Sequence, residues 1–489
     1  MTDGIARGAA WMLLFRFADR SLGLVSTLIL ARVLVPADFG LVAMAMSPIA
    51  LVELATSFGF EIALIQRATV ERVHYDTAWT LTALLGLACA VTIALLAYPM
   101  ALFFDEPRLT VVMLALALGS AMGGFGNVGV VDFRRRMEFR SEFLLMAGRR
   151  LLGFLATIVV ALTLRSYWAL VVGILTGRVA GLVLSYTMHS YRPRFCLGAR
   201  NELVSFSRWI LANNALIVAI IRVPHFVIGK LFGPQALGLF TLAYDVATMP
   251  VTELVSPINR AVFAGYSRLA ASRSALRDTY LDVSNTIFAV ALPATVGLAL
   301  VADSLVRLVL GPKWLAAVPL MKILAASAAL IAVQAHNGLV HVALGSTATN
   351  AVMSLVRLIV LAALCLIFAR PYGVTGIAYA ELLASGVCLL WSYPLVFRAL
   401  NISVLDYVRC NWRPLPASAA MAAAVLAVQR PVESLGIVPL GLELAKCVLS
   451  GGLVYAIAMI VSWLITGRPR GVERWVLDRL SARLVQKGA

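Results

Sequence analysis

The sequence predicts an all-α polytopic membrane protein with about 14 transmembrane helices. Of its 489 residues, 61% are hydrophobic and 13% are charged, and the mean hydropathy is +0.91. A soluble domain carries roughly 25% charged residues, so this chain has more apolar surface than an aqueous fold can bury. Apolar runs of about 20 residues, the length that spans a bilayer, recur along the whole chain and leave no room for a soluble domain.

Fourteen apolar segments are candidates for membrane spans, and the thirteenth is the shortest of them. The expected spans are 9–34, 38–65, 77–104, 109–131, 144–164, 167–189, 209–231, 235–262, 279–302, 318–343, 350–369, 375–397, 414–430 and 437–466.

The connections between these spans alternate in charge. Even-numbered connections such as QRATVERVH and DFRRRMEFR are rich in arginine, whereas odd-numbered connections such as FFDEPR are poor in cations. Cytoplasmic loops collect Lys and Arg, so both termini are expected to be cytoplasmic. The same rule accounts for the net charge of +17, and we therefore expect no nucleic-acid partner; the bilayer itself is the partner of the apolar surface.

A short motif occurs twice. LVPADFGL at 34–41 is echoed by FGPQALGL at 232–239, with a proline and a glycine at matching places. Such a proline and glycine suit a tight turn between spans. Six spans separate the copies, so both face the same side, which indicates a parallel repeat and an alternating-access carrier. We therefore predict a six-helix lobe at 1–200 and a second at 201–400. Two additional helices at 401–466 and a basic cytoplasmic tail at 467–489 complete the expected organisation.

The N-terminal sequence GAAWMLLFRFADRSLGLVSTLILARVLVPADFGLVAMA and the later FGFEIALIQR resemble the Wzx-type oligosaccharide flippases. These belong to the multidrug/oligosaccharidyl-lipid/polysaccharide exporter superfamily. The resemblance implies a V-shaped bundle of two lobes in the bacterial inner membrane. It also implies that the substrate is an undecaprenyl-pyrophosphate oligosaccharide, moved from the cytoplasmic to the periplasmic leaflet for exopolysaccharide, O-antigen or capsule synthesis. A polysaccharide polymerase and a co-polymerase are further candidate partners.

Several cations fall inside the expected spans. An ionised side chain at the centre of a membrane helix costs about 2.5–3.5 kcal/mol on insertion scales, so it needs a wet cavity or a partner. The forked guanidinium of arginine fits phosphate oxygens. We therefore expect the substrate-binding cations to be Arg16, Arg20, Arg222 and Arg260.

Acidic residues accompany these cations. Asp19 follows Arg16 by three residues, close enough for a local ion pair. The charge partners or proton sites that we expect are Asp19, Glu53, Asp245 and Glu253. For two further arginines within spans, Arg178 and Arg357, a structural salt bridge is the favoured interpretation.

We expect neither a cofactor nor a metal, because the six cysteines are scattered and no GxxxxGK[ST] motif is present. An enzyme such as a polymerase is disfavoured, since the longest outer connection is only 303–317. A multidrug exporter of the same superfamily would favour an acidic cavity, whereas the first and seventh spans are net basic. A lipid II-type flippase would share a cationic cavity and stays open as an alternative.

Overall fold

The computed structural model describes residues 19, 22–23, 25–54, 60–67, 69–430 and 436–467. Within these ranges the regular secondary structure is entirely helical, which confirms the all-α prediction for this part of the chain. The helices are α1 (25–33), α2 (Pro36–Glu53), α3 (Phe60–Gln66), α4 (Arg72–Phe104), α5 (Arg108–Gly124), α6 (Val131–Arg135), α7 (Phe139–Leu164), α8 (Trp168–Met188), α9 (Arg200–Pro250), α10 (Ser256–Leu269), α11 (Arg273–Leu305), α12 (Ala317–Gln334), α13 (Asn337–Ala343), α14 (Thr347–Leu400), α15 (Val404–Asn411), α16 (Pro414–Val428) and α17 (Ile437–Ile465).

Nine helices in the described residues are long and apolar enough to cross a membrane. The number becomes ten if α5 and the bent segment Val128–Arg135 form one broken span. Many apolar side chains on these helices point away from the protein, as for Leu95 and Leu449, which are each 73% exposed. Such surfaces are stable only against hydrocarbon, so the chain is a multi-pass membrane protein.

The two longest helices are each interrupted once by a glycine. Gly233 in α9 has φ 76° and Gly373 in α14 has φ 61°. A side chain is rarely accommodated at these angles, so glycine permits the chain to turn where two helices follow each other directly. The chain divides into two units, Met1–Thr241 and Leu242–Ala489.

The sequence suggested that the matching glycines of the repeated motif, Gly40 and Gly238, form turns between spans, but the structure places both inside helices. In the first copy Val35 is extended and Pro36 is the first residue of α2; in the second, Gly233 makes the turn and Pro234 follows it. Proline suits the first helical position because it lacks the N–H that would have no acceptor there. The later glycines, Gly40 and Gly238, lie inside helices, where they serve packing.

Helices α7 and α8 pack closely through small residues. A β-carbon at Gly173 would collide with the hydroxyl of Thr157, and one at Gly153 would lie 3.0 Å from the carbonyl oxygen of Gly173. Two helix backbones can approach this closely only where side chains are absent. This contact fixes the positions of the arginines that lie one turn away on both helices.

The connection after α8 is held against the start of α4 by side-chain hydrogen bonds. Asp76 Oδ1 accepts from the Tyr191 hydroxyl at 2.5 Å and from the backbone N–H of Arg194 at 3.0 Å. Thr80 Oγ1 accepts from the N–H of Cys196 at 3.0 Å. These bonds satisfy backbone donors that no regular secondary structure would satisfy, so residues 190–199 follow a defined path.

In the second unit, a buried polar network joins α11, α13 and α14. The Tyr280 hydroxyl donates to Asn337 Oδ1 at 2.8 Å, and Asn337 Nδ2 donates to Ser392 Oγ at 3.0 Å. Buried polar groups that are satisfied in this way specify how helices pack in an apolar environment.

Candidate functional site

A cavity of about 710 Å³ lies within the first unit. Its walls come from Asp19, Leu22, Ser26 and Leu30, from Val42 on α2 and from the facing sides of α7 and α8. Three arginines, Arg149, Arg150 and Arg178, contribute to the lining. Their guanidinium groups give a cavity inside an otherwise apolar bundle a concentration of positive charge.

Close helix packing determines where these arginines lie. Arg149 and Arg150 precede Gly153 by about one helical turn on α7, and Arg178 directly follows Gly177 on α8. A β-carbon at Gly181 would lie 2.8 Å from Arg149 Cδ, so the absence of a side chain there leaves room for the arginine stem. The glycines of these helices therefore provide both the close contact and the space for the cations.

Two of the three cavity arginines are paired with carboxylates. Arg150 Nε lies 3.0 Å from Asp19 Oδ1. Arg178 Nη2 lies 2.7 Å from Glu53 Oε1, which also accepts a 2.6 Å hydrogen bond from Ser120. Each carboxylate offsets one cation, since an unpaired charge away from water is costly.

Arg149 is different, because it makes no hydrogen bond or ion pair with the residues that the structure describes. Its side chain is exposed to the cavity. The described lining therefore has a net positive charge, with a five-donor guanidinium available to an anion.

A second cavity of about 480 Å³ in the same unit shares the lining residues Met146, Arg149 and Arg178 with the first. It adds Arg134, whose Nε lies 2.5 Å from Glu142 Oε1. Asn127 and Ser185 also line it, and the Asn127 backbone N–H donates to Ser185 Oγ at 3.0 Å. The shared residues make the two cavities neighbours, and together they offer hydroxyl, amide and guanidinium groups.

The chemistry of this lining suits a phosphorylated, hydroxyl-rich molecule. Guanidinium groups bind phosphate oxygens through charge-assisted hydrogen bonds, while hydroxyl and amide groups can replace the water around sugar hydroxyls. The carboxylates of Asp19 and Glu53 hold Arg150 and Arg178 in defined orientations.

The sequence-predicted residues of the first unit have different outcomes. Asp19 lines the first cavity, and Glu53 binds one of its arginines. Arg16 and Arg20 lie outside the described residues, as do residues 468–489 of the expected tail. Arg222, on α9, is half-buried, is engaged in an interaction and does not line either cavity.

The other predicted residues belong to the second unit. Arg260 on α10 is exposed, as are Asp245 near the end of α9 and Glu253 in the π-helical turn Val251–Val255. Asp245 and Glu253 each take part in an interaction. The buried carboxylate of Glu381 lies 3.6 Å from Arg357, which agrees with the structural role expected for Arg357.

Sequence reasoning missed Arg149 and Arg150, and it favoured a purely structural role for Arg178. The doublet lies within the expected fifth span, and two adjacent cations inside an apolar helix were the available indication. Their significance depends on Asp19 and on the residues of α8 that contact α7, which are both distant from the doublet in sequence.

The chain resembles known proteins over most of its length. A family model described as polysaccharide biosynthesis protein matches residues 29–319. The lipopolysaccharide biosynthesis protein WzxC of Escherichia coli K12 is 24% identical over 416 residues, which are 83% of this chain and 84% of that protein. The teichuronic acid biosynthesis protein TuaB of Bacillus subtilis 168 is 23% identical over 420 residues, 84% of this chain and 86% of that one. The succinoglycan biosynthesis transport protein ExoT of Rhizobium meliloti 1021 is 24% identical over 332 residues, 67% of each chain.

Two solved structures share the fold. The lipid II flippase MurJ in an inward closed conformation superposes with a TM-score of 0.74 at 12% identity, over 93% of this chain and 99% of that one. An inward-facing multidrug resistance MATE family transporter of the MOP superfamily gives 0.61 at 14% identity, over 78% of this chain and 95% of that one. At these identities the likeness concerns the fold alone.

Proposed function

This chain belongs to the polysaccharide biosynthesis protein family, and we propose that it is a lipid-linked oligosaccharide flippase. The family expected from the first 70 residues is thereby confirmed. In the proposed reaction, an undecaprenyl-pyrophosphate-linked glycan moves from the cytoplasmic to the periplasmic leaflet for surface polysaccharide synthesis. The observation that carries the proposal is the arginine-lined cavity, with Arg149 unpaired among the described residues.

Physical chemistry explains why such a substrate needs a protein. A sugar hydroxyl moved into hydrocarbon without a partner costs about 4–8 kcal/mol, and an oligosaccharide carries many hydroxyls. A polar cavity within the bundle replaces water around the head group while the lipid tail stays in the bilayer. The membrane potential, worth about 2.3 kcal/mol per charge per 100 mV, favours outward movement of an anion from a negative cytoplasm.

The names of the relatives support the class of substrate. They refer to the biosynthesis of lipopolysaccharide, of teichuronic acid and of succinoglycan. The names share the biosynthesis of a glycan-containing product. We extend that shared property to this chain, but none of the individual glycans.

We further propose the finer architecture. The turns at Gly233 and Gly373 divide α9 and α14 into two spans each, and the short α16 adds another. With the segment 9–34, we propose 14 spans, in one lobe at 1–200, a second lobe at 201–400 and two further helices at 401–466. Both termini would lie in the cytoplasm, in the inner membrane of a bacterium, beside a polymerase and co-polymerase. Alternating access, without enzymatic chemistry, would move the substrate.

The cations predicted from the sequence are retained as proposed binding residues. Arg16, Arg20, Arg222 and Arg260 would bind pyrophosphate at successive stages, since each lies within an expected span, where an ionised group needs a wet environment or a partner. Asp245 and Glu253 would act as charge partners or proton sites during the return of the empty carrier.

A leaflet assay on the purified protein in liposomes tests this function. The substrate is fluorescent undecaprenyl-pyrophosphate oligosaccharide, and a membrane-impermeant quencher reports how much label remains in the outer leaflet. We compare wild type with Arg149→Gln and Arg150→Gln. The control is Arg140→Gln, because Arg140 is an exposed cation on the same helix that lines neither cavity.

Each cavity variant should lower the flipping rate by about ten-fold, since a hydrogen bond to a charged group contributes about 1.5–3 kcal/mol. The control should keep the wild-type rate. Faster movement of lipid II than of the oligosaccharide would assign the chain to a lipid II-type flippase. Export of organic cations without any flipping would make it a multidrug exporter. Equal flipping rates in wild type and all variants would show that Arg149 and Arg150 do not bind the substrate.

A further inference from the structure

Helix α15 has an exposed apolar face that no part of the described chain covers. Val404, Leu405 and Val408 are 65%, 56% and 51% exposed, whereas Tyr407 and Asn411 of the same helix are buried. A short amphipathic helix of this kind is stable at a membrane surface, with its apolar face in the boundary between head groups and acyl chains. α15 therefore lies at the edge of the bilayer.

The helix is firmly attached to the second unit. The hydroxyls of Tyr407 and Tyr393 lie 2.7 Å apart, and Asn285 Nδ2 donates to the carbonyl of Cys410 at 2.6 Å. Arg277 Nη2 donates to Asp406 Oδ2 at 2.8 Å. These contacts fix α15 against α11 and α14, so the surface that it forms with them is preformed.

An apolar pocket of about 760 Å³ opens beside α15. It lies between the last turns of α14, the middle of α11 and the start of α15, and most of its lining is aliphatic or aromatic. Leu390 lines it and is 74% exposed. Its volume falls within the range of about 300–1,000 Å³ that is usual for ligand pockets, and an apolar pocket at a bilayer edge is a site for hydrocarbon.

A cation stands at this apolar pocket. Arg398 is part of the lining, is exposed and has no hydrogen bond or ion pair with any residue that the structure describes. The nearby carboxylate of Asp406 is already paired with Arg277. The pocket thus presents an uncompensated positive charge next to a space for hydrocarbon.

We propose that this pocket binds an anionic phospholipid, with one acyl chain among Leu390, Pro394 and Phe397 and the phosphate at Arg398. A phospholipid combines an acyl chain with a phosphate at the depth where an interfacial helix lies. An anionic head group matches the unpaired guanidinium better than a zwitterionic one, whose own cation would oppose Arg398. The lipid would come from the leaflet that the charge distribution predicts to be cytoplasmic. Anionic lipids in that leaflet attract basic segments of membrane proteins.

Native mass spectrometry of the full-length protein tests the assignment. Protein stripped of lipid is titrated with phosphatidylglycerol or with phosphatidylcholine of the same acyl chains. Arg398→Gln removes the charge, and Leu390→Trp fills the pocket at a position that is 74% exposed. The matched control is Arg370→Gln, an exposed arginine of the same α14 that makes no described pair and does not line the pocket.

Wild type should retain phosphatidylglycerol about five-fold better than phosphatidylcholine, the factor that corresponds to about 1 kcal/mol per cation near an anionic surface. Arg398→Gln should abolish that preference, Leu390→Trp should weaken retention of both lipids, and Arg370→Gln should behave as wild type. The proposal is overturned by a preference that survives in Arg398→Gln, or by equal losses in the two arginine variants. It is also overturned if undecaprenyl phosphate displaces the phospholipid at equal concentration, because the pocket would then hold a polyprenyl chain.

Discussion

Gly40 of α2 lies directly against the backbone carbonyl of Pro234, and Gly238 lies in the same way against the carbonyl of Pro36. A β-carbon at either glycine would collide with that carbonyl oxygen. The two copies of the repeated motif therefore pack on each other reciprocally, because each glycine contacts the proline carbonyl of the other copy. The repetition in sequence has a physical purpose, because a self-complementary contact needs the same residues on both sides.

Replacing Gly40 or Gly238 by alanine should destabilise the protein by about 1–3 kcal/mol, the usual cost of inserting a methyl group into a close contact. Thermal unfolding in detergent measures the effect. Gly265→Ala is the control, since no atom lies within 4 Å of the added β-carbon and alanine favours a helix by about 1 kcal/mol. Equal melting temperatures for Gly40→Ala and Gly265→Ala would contradict the reciprocal contact.

The pair formed by Glu106 and Arg108 should make stability depend on pH. Arg108 Nε and Nη2 each donate to the Glu106 carboxylate at 2.8 Å, and these hydrogen bonds hold the pKa of Glu106 below its ordinary value of 4.5. A carboxylate whose pKa is lowered by folding stabilises the folded state above its unfolded pKa and loses that contribution as the pH falls through the folded pKa.

Arg108→Gln should therefore lower the melting temperature at neutral pH and approach wild type as the pH falls below 4.5. The effect should be about 1 kcal/mol or less, since Arg108 is half exposed. Glu138→Gln, at an exposed position, serves as a control for the general loss of a carboxylate. A wild-type advantage that is constant from neutral to acidic pH would exclude this pair as its source.

Asp76 should control the accessibility of the segment that follows α8. Asp76→Ala removes the acceptor for both Tyr191 and the N–H of Arg194, so we expect trypsin to cleave after Arg194, which Phe195 follows, about ten-fold faster. That factor follows from about 1.5 kcal/mol for a hydrogen bond to a charged acceptor. Thr92→Ala on the same helix, where the hydroxyl bonds only to its own helix, should leave cleavage unchanged. Identical digestion of the two variants would show that other contacts hold the segment.

Glu53 and Arg178 should be energetically coupled. Each single alanine variant leaves a partly buried charge without its partner, whereas the double variant removes both charges. We therefore expect the double variant to lose less stability than the two single variants combined, with a coupling energy of about 0.5–3 kcal/mol. A denaturation cycle in detergent measures it, and the same cycle with Glu138 in place of Glu53 should give no coupling. Additive losses in the Glu53 cycle would mean that the 2.7 Å contact contributes nothing.

Local sequence patterns were sufficient to predict the membrane helices, but they predicted few of the residues that line the cavity. Apolar runs predicted membrane helices because a span must satisfy its own backbone hydrogen bonds in lipid. Asp19 and Glu53 were identified because a carboxylate inside an apolar segment is costly alone. Arg178 was expected to form a salt bridge, as it does with Glu53. Its partner and the role of Arg150 were not predicted, because pairing depends on which helix faces become neighbours.

The sequence by itself determined that this chain is helical, spans a membrane repeatedly and carries a repeated proline–glycine motif, since composition and periodicity act within one segment. Only the tertiary structure decided that Gly40 contacts the carbonyl of Pro234 and that glycines on α8 leave space for Arg149. It also decided that Arg398 lines an apolar pocket without a partner among the described residues. These relationships join residues that are far apart in sequence, and close packing of side chains rather than any local preference selects them.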